Sequence, residues 1–123
     1  LSMSALNKLY QYQQYDGQIF TCSALRYSPD LILNAEQKEK VGKIISISSS
    51  TPNSWHKYAV HIIEPVLRML DASDKPKNIK KISDFTGPSN LHVEWESGVL
   101  TNFSALGNVN KPITLSVKGE NGE

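Results

Sequence analysis

Apolar residues recur along this chain with two different periods, and the period changes near the middle. In "SALNKLYQYQQYDG", Ala5, Leu6, Leu9 and Tyr12 fall at helical spacing behind a Ser4 cap, and Gly17 ends the run. "QIFTCSA", residues 18–24, is short, apolar and rich in strand formers. "SPDLILNAEQKEKVG" has Ser28 as a cap, Pro29 at the first helical position and Gly42 just past the end, which predicts a helix. "KIISISSS" predicts a strand, and Thr51-Pro52-Asn53-Ser54 a turn leading into "SWHKYAVHIIEPVLRML".

Beyond Asp71 the period drops to two. "DKPKN" reads as a polar connector and "IKKISDF" as a strand. "LHVEWE" alternates strictly, with Leu91, Val93 and Trp95 on one face and His92, Glu94 and Glu96 on the other. Ser97-Gly98 marks a tight turn, "VLTNFSAL" returns, and "ITLSVKG" alternates again after Gly107-Asn108. Clean alternation belongs to a sheet with one covered and one polar face, in the antiparallel style. Helices and strands first and an antiparallel meander later make an α+β domain: a mostly antiparallel sheet with helices on one face.

The segment over residues 54–70 is the most informative. At 100° per residue, Ala59, Ile62, Ile63, Val66 and Leu70 form one apolar stripe, and Lys57, His61, Glu64 and Arg68 line the opposite side. Spacing by itself reads that polar stripe as a solvated face, with a Glu64–Arg68 pair worth a few tenths of a kcal/mol. Pro65 disturbs the picture. It removes a hydrogen bond and crowds the carbonyl four residues back, which is that of His61, the side chain type that titrates nearest neutrality. His56 and His61 lie about 140° apart around a helix, which argues against a shared metal.

Composition narrows the function. With 123 residues, 39% apolar and 20% charged, the chain is one ordinary domain. A net charge of +1 gives no global attraction to nucleic acid or an acidic membrane, and Lys75, Lys77, Lys80 and Lys81 read as a solvated loop and strand edge. One cysteine, Cys22, rules out an internal disulfide and fits a reducing cytosol, so a cytoplasmic protein is expected. None of the seven glycines forms a G-x-G-x-x-G or Walker loop, and C-x-x-C and H-E-x-x-H are absent, so no metal is expected.

Three segments, in this order along the chain, resemble the second half of the Gfo/Idh/MocA superfamily (glucose–fructose oxidoreductase, inositol dehydrogenase). "LSMSALNKLYQYQQYDGQ" resembles the helix after that family's Glu-Lys-Pro motif. "FTCSALRYSPDL" resembles the strand ending in Arg-aromatic-x-Pro at the crossing between domains. "SWHKYAVHIIEPVLRML" resembles its Y-x-x-H-x-x-E helix. The resemblance implies a nicotinamide-dependent oxidoreductase acting on a sugar, polyol or related hydroxyl compound. Residues 1–24 would be the last helix and strand of a truncated nucleotide-binding domain, and residues 25–123 the substrate and oligomerisation domain, incomplete at its C-terminus. It implies His61 as general acid/base, with Lys57, Tyr58, Trp55 and Arg26 facing substrate or the nicotinamide end. The cofactor would be NAD or NADP in the full-length parent and none in the fragment, which would be inactive alone and would pair with its twin through the open sheet face.

Two departures stand out. The dinucleotide fingerprint and the Glu-Lys-Pro lysine would both precede the first residue here. Where many members carry an aspartate four residues before the histidine, this chain has Lys57, suited to an acidic or phosphorylated group or to taking the proton itself. The alternatives are a free-standing dimerisation or ligand-binding module and a non-catalytic homologue on the same fold.

Overall fold

Strand β1 (Ile44–Thr51) occupies an inner position of a five-stranded sheet in the computed structural model, which describes residues 2–82 and 88–123. The other strands are β2 (Pro76–Ile82), β3 (Ser89–Trp95), β4 (Leu100–Ala105) and β5 (Thr114–Gly119), and the order is β2-β3-β4-β1-β5. The meander β2-β3-β4 is antiparallel as the alternation predicts. The difference lies at β1, which inserts between β4 and β5, parallel to the first and antiparallel to the second. Periodicity does not encode which strand lies beside which. The chain is α+β, as expected.

Alternation decides which side of the sheet is covered. Ile47, Val93, Phe103 and Val117 point to one face with Trp95, and there they meet Ile62 and Val66 from the helical layer in a single apolar cluster. The indole N–H of Trp95 is buried and donates to Thr101 Oγ1 at 2.9 Å, so the largest core side chain carries no unsatisfied donor. On the other face, registered pairs such as Asn90↔Ser104 and His92↔Asn102, then Ser48↔Asn102 and Ser48↔Ser116, make a polar surface of small side chains.

The helical layer differs from expectation in three places. Helix α1 (Met3–Tyr10) starts two residues earlier than Ser4 suggests, because Ser2 accepts from the Ala5 N–H, and it stops at Tyr10 rather than Gly17. Residues 18–24 form no strand among the described residues: a strand needs a hydrogen-bonded neighbour, and none adjoins this segment. The helix expected from Ser28 is interrupted. A single 3₁₀ turn (Pro29–Leu31) gives way to extended chain, and α2 (Ala35–Val41) begins afresh. Asn34 and Gln37 form a reciprocal capping box, at 2.8 and 2.9 Å, that outcompetes the Ser28-Pro29 start. Gly42, at φ +74°, does end α2 as predicted.

Part of the expected connector, from Pro76 onward, is already strand β2, whose residues are all exposed. Residues 83–85 of the expected "IKKISDF" strand lie outside the described residues. Lysines at Lys77, Lys80 and Lys81 make this edge a poor template for pairing with another sheet.

Candidate functional site

The segment after β1 forms two helical pieces, α3 (Trp55–Tyr58) and α4 (Val60–Leu67), with a break at Ala59. The break lies two residues before His61, whose carbonyl has no N–H to receive from Pro65. Ile62 and Val66 are 1% and 0% exposed and anchor α4 to the sheet, with Pro65 buried beside them. Their burial fixes the rotation of the helix and directs the stripe of His61, Glu64 and Arg68 away from the core.

That stripe is only partly solvated, with Arg68 exposed and His61 and Glu64 half-buried, and among the described residues Glu64 and Arg68 form no ion pair. It grips the chain between Ser23 and Tyr27, which contains a 3₁₀ turn (Ala24–Tyr27). Ser23 Oγ lies 2.6 Å from His61 Nδ1, and the Ser23 N–H donates to Glu64 Oε2 at 2.5 Å. Arg68 Nη1 donates to the Arg26 carbonyl at 2.6 Å, and its guanidinium stands 5.2 Å from the centroid of the Tyr27 ring. Spaced three and four residues apart along one helical face, two of the side chains meet Ser23 and the third meets Arg26 and Tyr27 of a segment that runs alongside. Ser23 is 3% exposed, so its backbone and hydroxyl bonds are sheltered from water and each counts for more than a surface pair.

His61 is half-buried and meets the ring of Tyr58 edge-on, with centroids 5.8 Å apart. Tyr58 and Lys57 line a cleft of about 320 Å³ together with Asn53, Ser54, Gly107 and Asn108. Asn53 borders it in the left-handed conformation at φ +68°, held by paired backbone bonds to Gly107 at 2.6 and 3.2 Å. Asparagine tolerates that region better than most residues, which is why the Thr-Pro-Asn-Ser turn closes there. Trp55 packs against the apolar cluster. Arg26 is half-buried in the 3₁₀ turn, and its carbonyl is held by Arg68. His56 is exposed on α3, and among the described residues no three His, Cys, Asp or Glu side chains gather as a metal site would require.

Ser23 is the site residue that sequence spacing did not reveal. It is 38 positions from His61, and its only local signal is the cap it makes by accepting from the Leu25 N–H at 3.2 Å.

No family model and no curated protein matches the sequence. Among solved structures, the fold matches UDP-N-acetylglucosamine 3-dehydrogenase GnnA from Acidithiobacillus ferrooxidans, with a TM-score of 0.51 and 11% identity. The match covers 69% of this chain and 33% of that one. The chain thus spans about a third of the neighbour's length, and the likeness is one of fold.

Proposed function

We propose that this chain is the substrate-facing part of a nicotinamide-dependent oxidoreductase acting on a sugar, polyol or related hydroxyl compound, with His61 as its proton-transfer group. The observation that carries the proposal is the mounting of His61. One ring nitrogen is engaged by a buried hydroxyl, the ring rests against Tyr58, and Nε2 has no partner among the described residues. An imidazole held by one nitrogen and open at the other is what proton transfer to or from a substrate oxygen needs. The three sequence motifs and a fold shared with a sugar 3-dehydrogenase point the same way.

The positive-φ glycines Gly17, Gly42, Gly98, Gly107 and Gly122 sit at separate turns, so the described residues build no glycine-rich cradle for a dinucleotide's phosphates. A nicotinamide held by another domain would supply the hydride, and this chain supplies the substrate's proton and its contacts. Residues 1–24 would then belong to that domain, and Met3, Tyr12 and Phe20, each at least 70% exposed, are the surface its remainder would cover. Lys57, with the amides of Asn53 and Asn108 and the hydroxyl of Ser54 around the cleft, favours a substrate bearing an acidic or phosphorylated group.

The test is an amide NMR titration of the chain with an inositol, a hexose phosphate and UDP-N-acetylglucosamine. Shifts confined to Lys57, Tyr58, His61 and their neighbours are expected, weakened for the anionic ligands in Lys57→Ala. No shift with any of them, or micromolar binding of NAD(H) to this chain alone, overturns the proposal. In an enzyme carrying the nucleotide-binding domain, His61→Ala is expected to lower turnover by about 10²–10⁴.

A second reading, a dimerisation module, is favoured by the open sheet face. The registered pairs His92↔Asn102 and Ser48↔Ser116 give that face polar side chains on which a second copy could lie. Sedimentation at several concentrations decides it, and a monomer throughout counts against pairing.

A further inference from the structure

Resting on the proposed role of His61, we infer that Ser23 is its positioning residue: the buried hydroxyl donates to Nδ1, fixes the ring as the Nε2–H tautomer, and so presents a proton at the open nitrogen. The argument is one of hydrogen-bond supply. A serine hydroxyl has one proton and two lone pairs. One lone pair of Ser23 Oγ already receives the Leu25 N–H at 3.2 Å. The side chain is sheltered, with Ser23 3% exposed, and the only acceptor for its proton among the described residues is His61 Nδ1, 2.6 Å away. The opposite tautomer would aim Nδ1–H at the same oxygen and leave the serine proton buried without an acceptor, the arrangement that folded proteins avoid.

The hydroxyl is itself held in place. The Ser23 N–H is bound by Glu64 Oε2 at 2.5 Å, and three residues on, the Arg26 carbonyl is bound by Arg68 Nη1 at 2.6 Å. Glu64 is on α4, the helix that carries His61, and Arg68 caps its C-terminal end, so ring and hydroxyl are held from one element. Elsewhere in proteins a carboxylate often orients a catalytic imidazole by accepting from Nδ1–H, which leaves Nε2 as the acceptor. Here the orienting group donates, and the polarity of the ring is reversed. His61 is thereby set to donate a hydrogen bond from Nε2–H to a substrate oxygen, where negative charge develops during carbonyl reduction.

Long-range ¹H–¹⁵N correlation of the imidazoles at alkaline pH, where the rings are neutral, tests the inference on this chain. His61 is assigned from the His56→Gln and His92→Gln variants. The wild type is expected to show the Nε2–H tautomer at His61. Ser23→Ala is expected to raise the population ratio of Nδ1–H to Nε2–H by about tenfold, and Ser23→Thr, which keeps the hydroxyl, to restore it. A wild-type His61 in the Nδ1–H form overturns the inference without any Ser23 variant having to fold, as does a tautomer ratio unchanged in a folded Ser23→Ala. Failure of the proton-transfer role looks different: the tautomer is as stated, yet the sugar ligands leave the His61 signals unmoved.

Discussion

Replacing Gly119 by alanine adds one methyl group at the most crowded point of the fold. A Cβ there would stand 2.2 Å from the carbonyl oxygen of Val41, 2.5 Å from Val41 Cγ1 and 2.9 Å from the carbonyl oxygen of Lys43. Contact between such atoms begins near 3.5 Å, so the two segments must separate by about 1 Å. Neither oxygen is free to yield, since Val41 O accepts from the Asn121 N–H and Lys43 O from the Glu120 N–H, both at 3.0 Å. Overpacking of this kind costs about 1–3 kcal/mol. Weakening two backbone bonds adds about 0.5–1.5 kcal/mol each, and the stiffer unfolded chain returns about 0.4–1 kcal/mol. A net loss of about 3 kcal/mol follows.

Gly98 supplies the contrast. A Cβ there meets nothing within 4 Å, but φ is +88°, so Gly98→Ala costs conformational strain alone, about 1 kcal/mol. Urea unfolding followed by tryptophan fluorescence, with buried Trp95 as a reporter, measures both. With m near 2 kcal/mol/M, the Gly119 variant should unfold about 1 M earlier than the Gly98 variant. A midpoint for Gly119→Ala equal to or above that of Gly98→Ala refutes the packing of α2 against β5.

Phe103 is 2% exposed at the centre of the core, so Phe103→Ala should cost about 3–5 kcal/mol in the same assay, and a loss under 1 kcal/mol would place the core elsewhere. The amide of Asn78, together with the nearby Lys77 ammonium, holds the Glu94 carboxyl below its ordinary value near 4.5. A depressed folded-state value contributes stability above the unfolded value and loses it as pH falls through the folded one. Urea midpoints measured downward from pH 5 should therefore fall more for the wild type than for Glu94→Gln, and parallel curves would contradict this.

The elements that were legible in the sequence are those whose signals are local. The strands around Val93, Phe103 and Val117 announce themselves because alternate burial is written residue by residue in a sheet with one covered face. The helix at Ile62 and Val66 does so through its 3.6-residue stripe, and the same stripe separates His61, Glu64 and Arg68 from the core. Local signals also compete, and there sequence reasoning erred: Ser28-Pro29 and Asn34…Gln37 both announce a helix start, and only reciprocal hydrogen bonding favours the second.

The α+β class, the covered faces and a polar stripe bearing a histidine are all written in local residue patterns. Tertiary structure alone decided what the stripe does. A polar helix face looks the same whether water or another chain segment lies against it. Only the fold brings Ser23 to His61 and Glu64, and Arg26 to Arg68, across more than thirty residues of intervening chain. The parallel pairing of β1 with β4 is of the same kind, since a strand's own residues state which face is buried but not which neighbour will complete its hydrogen bonds.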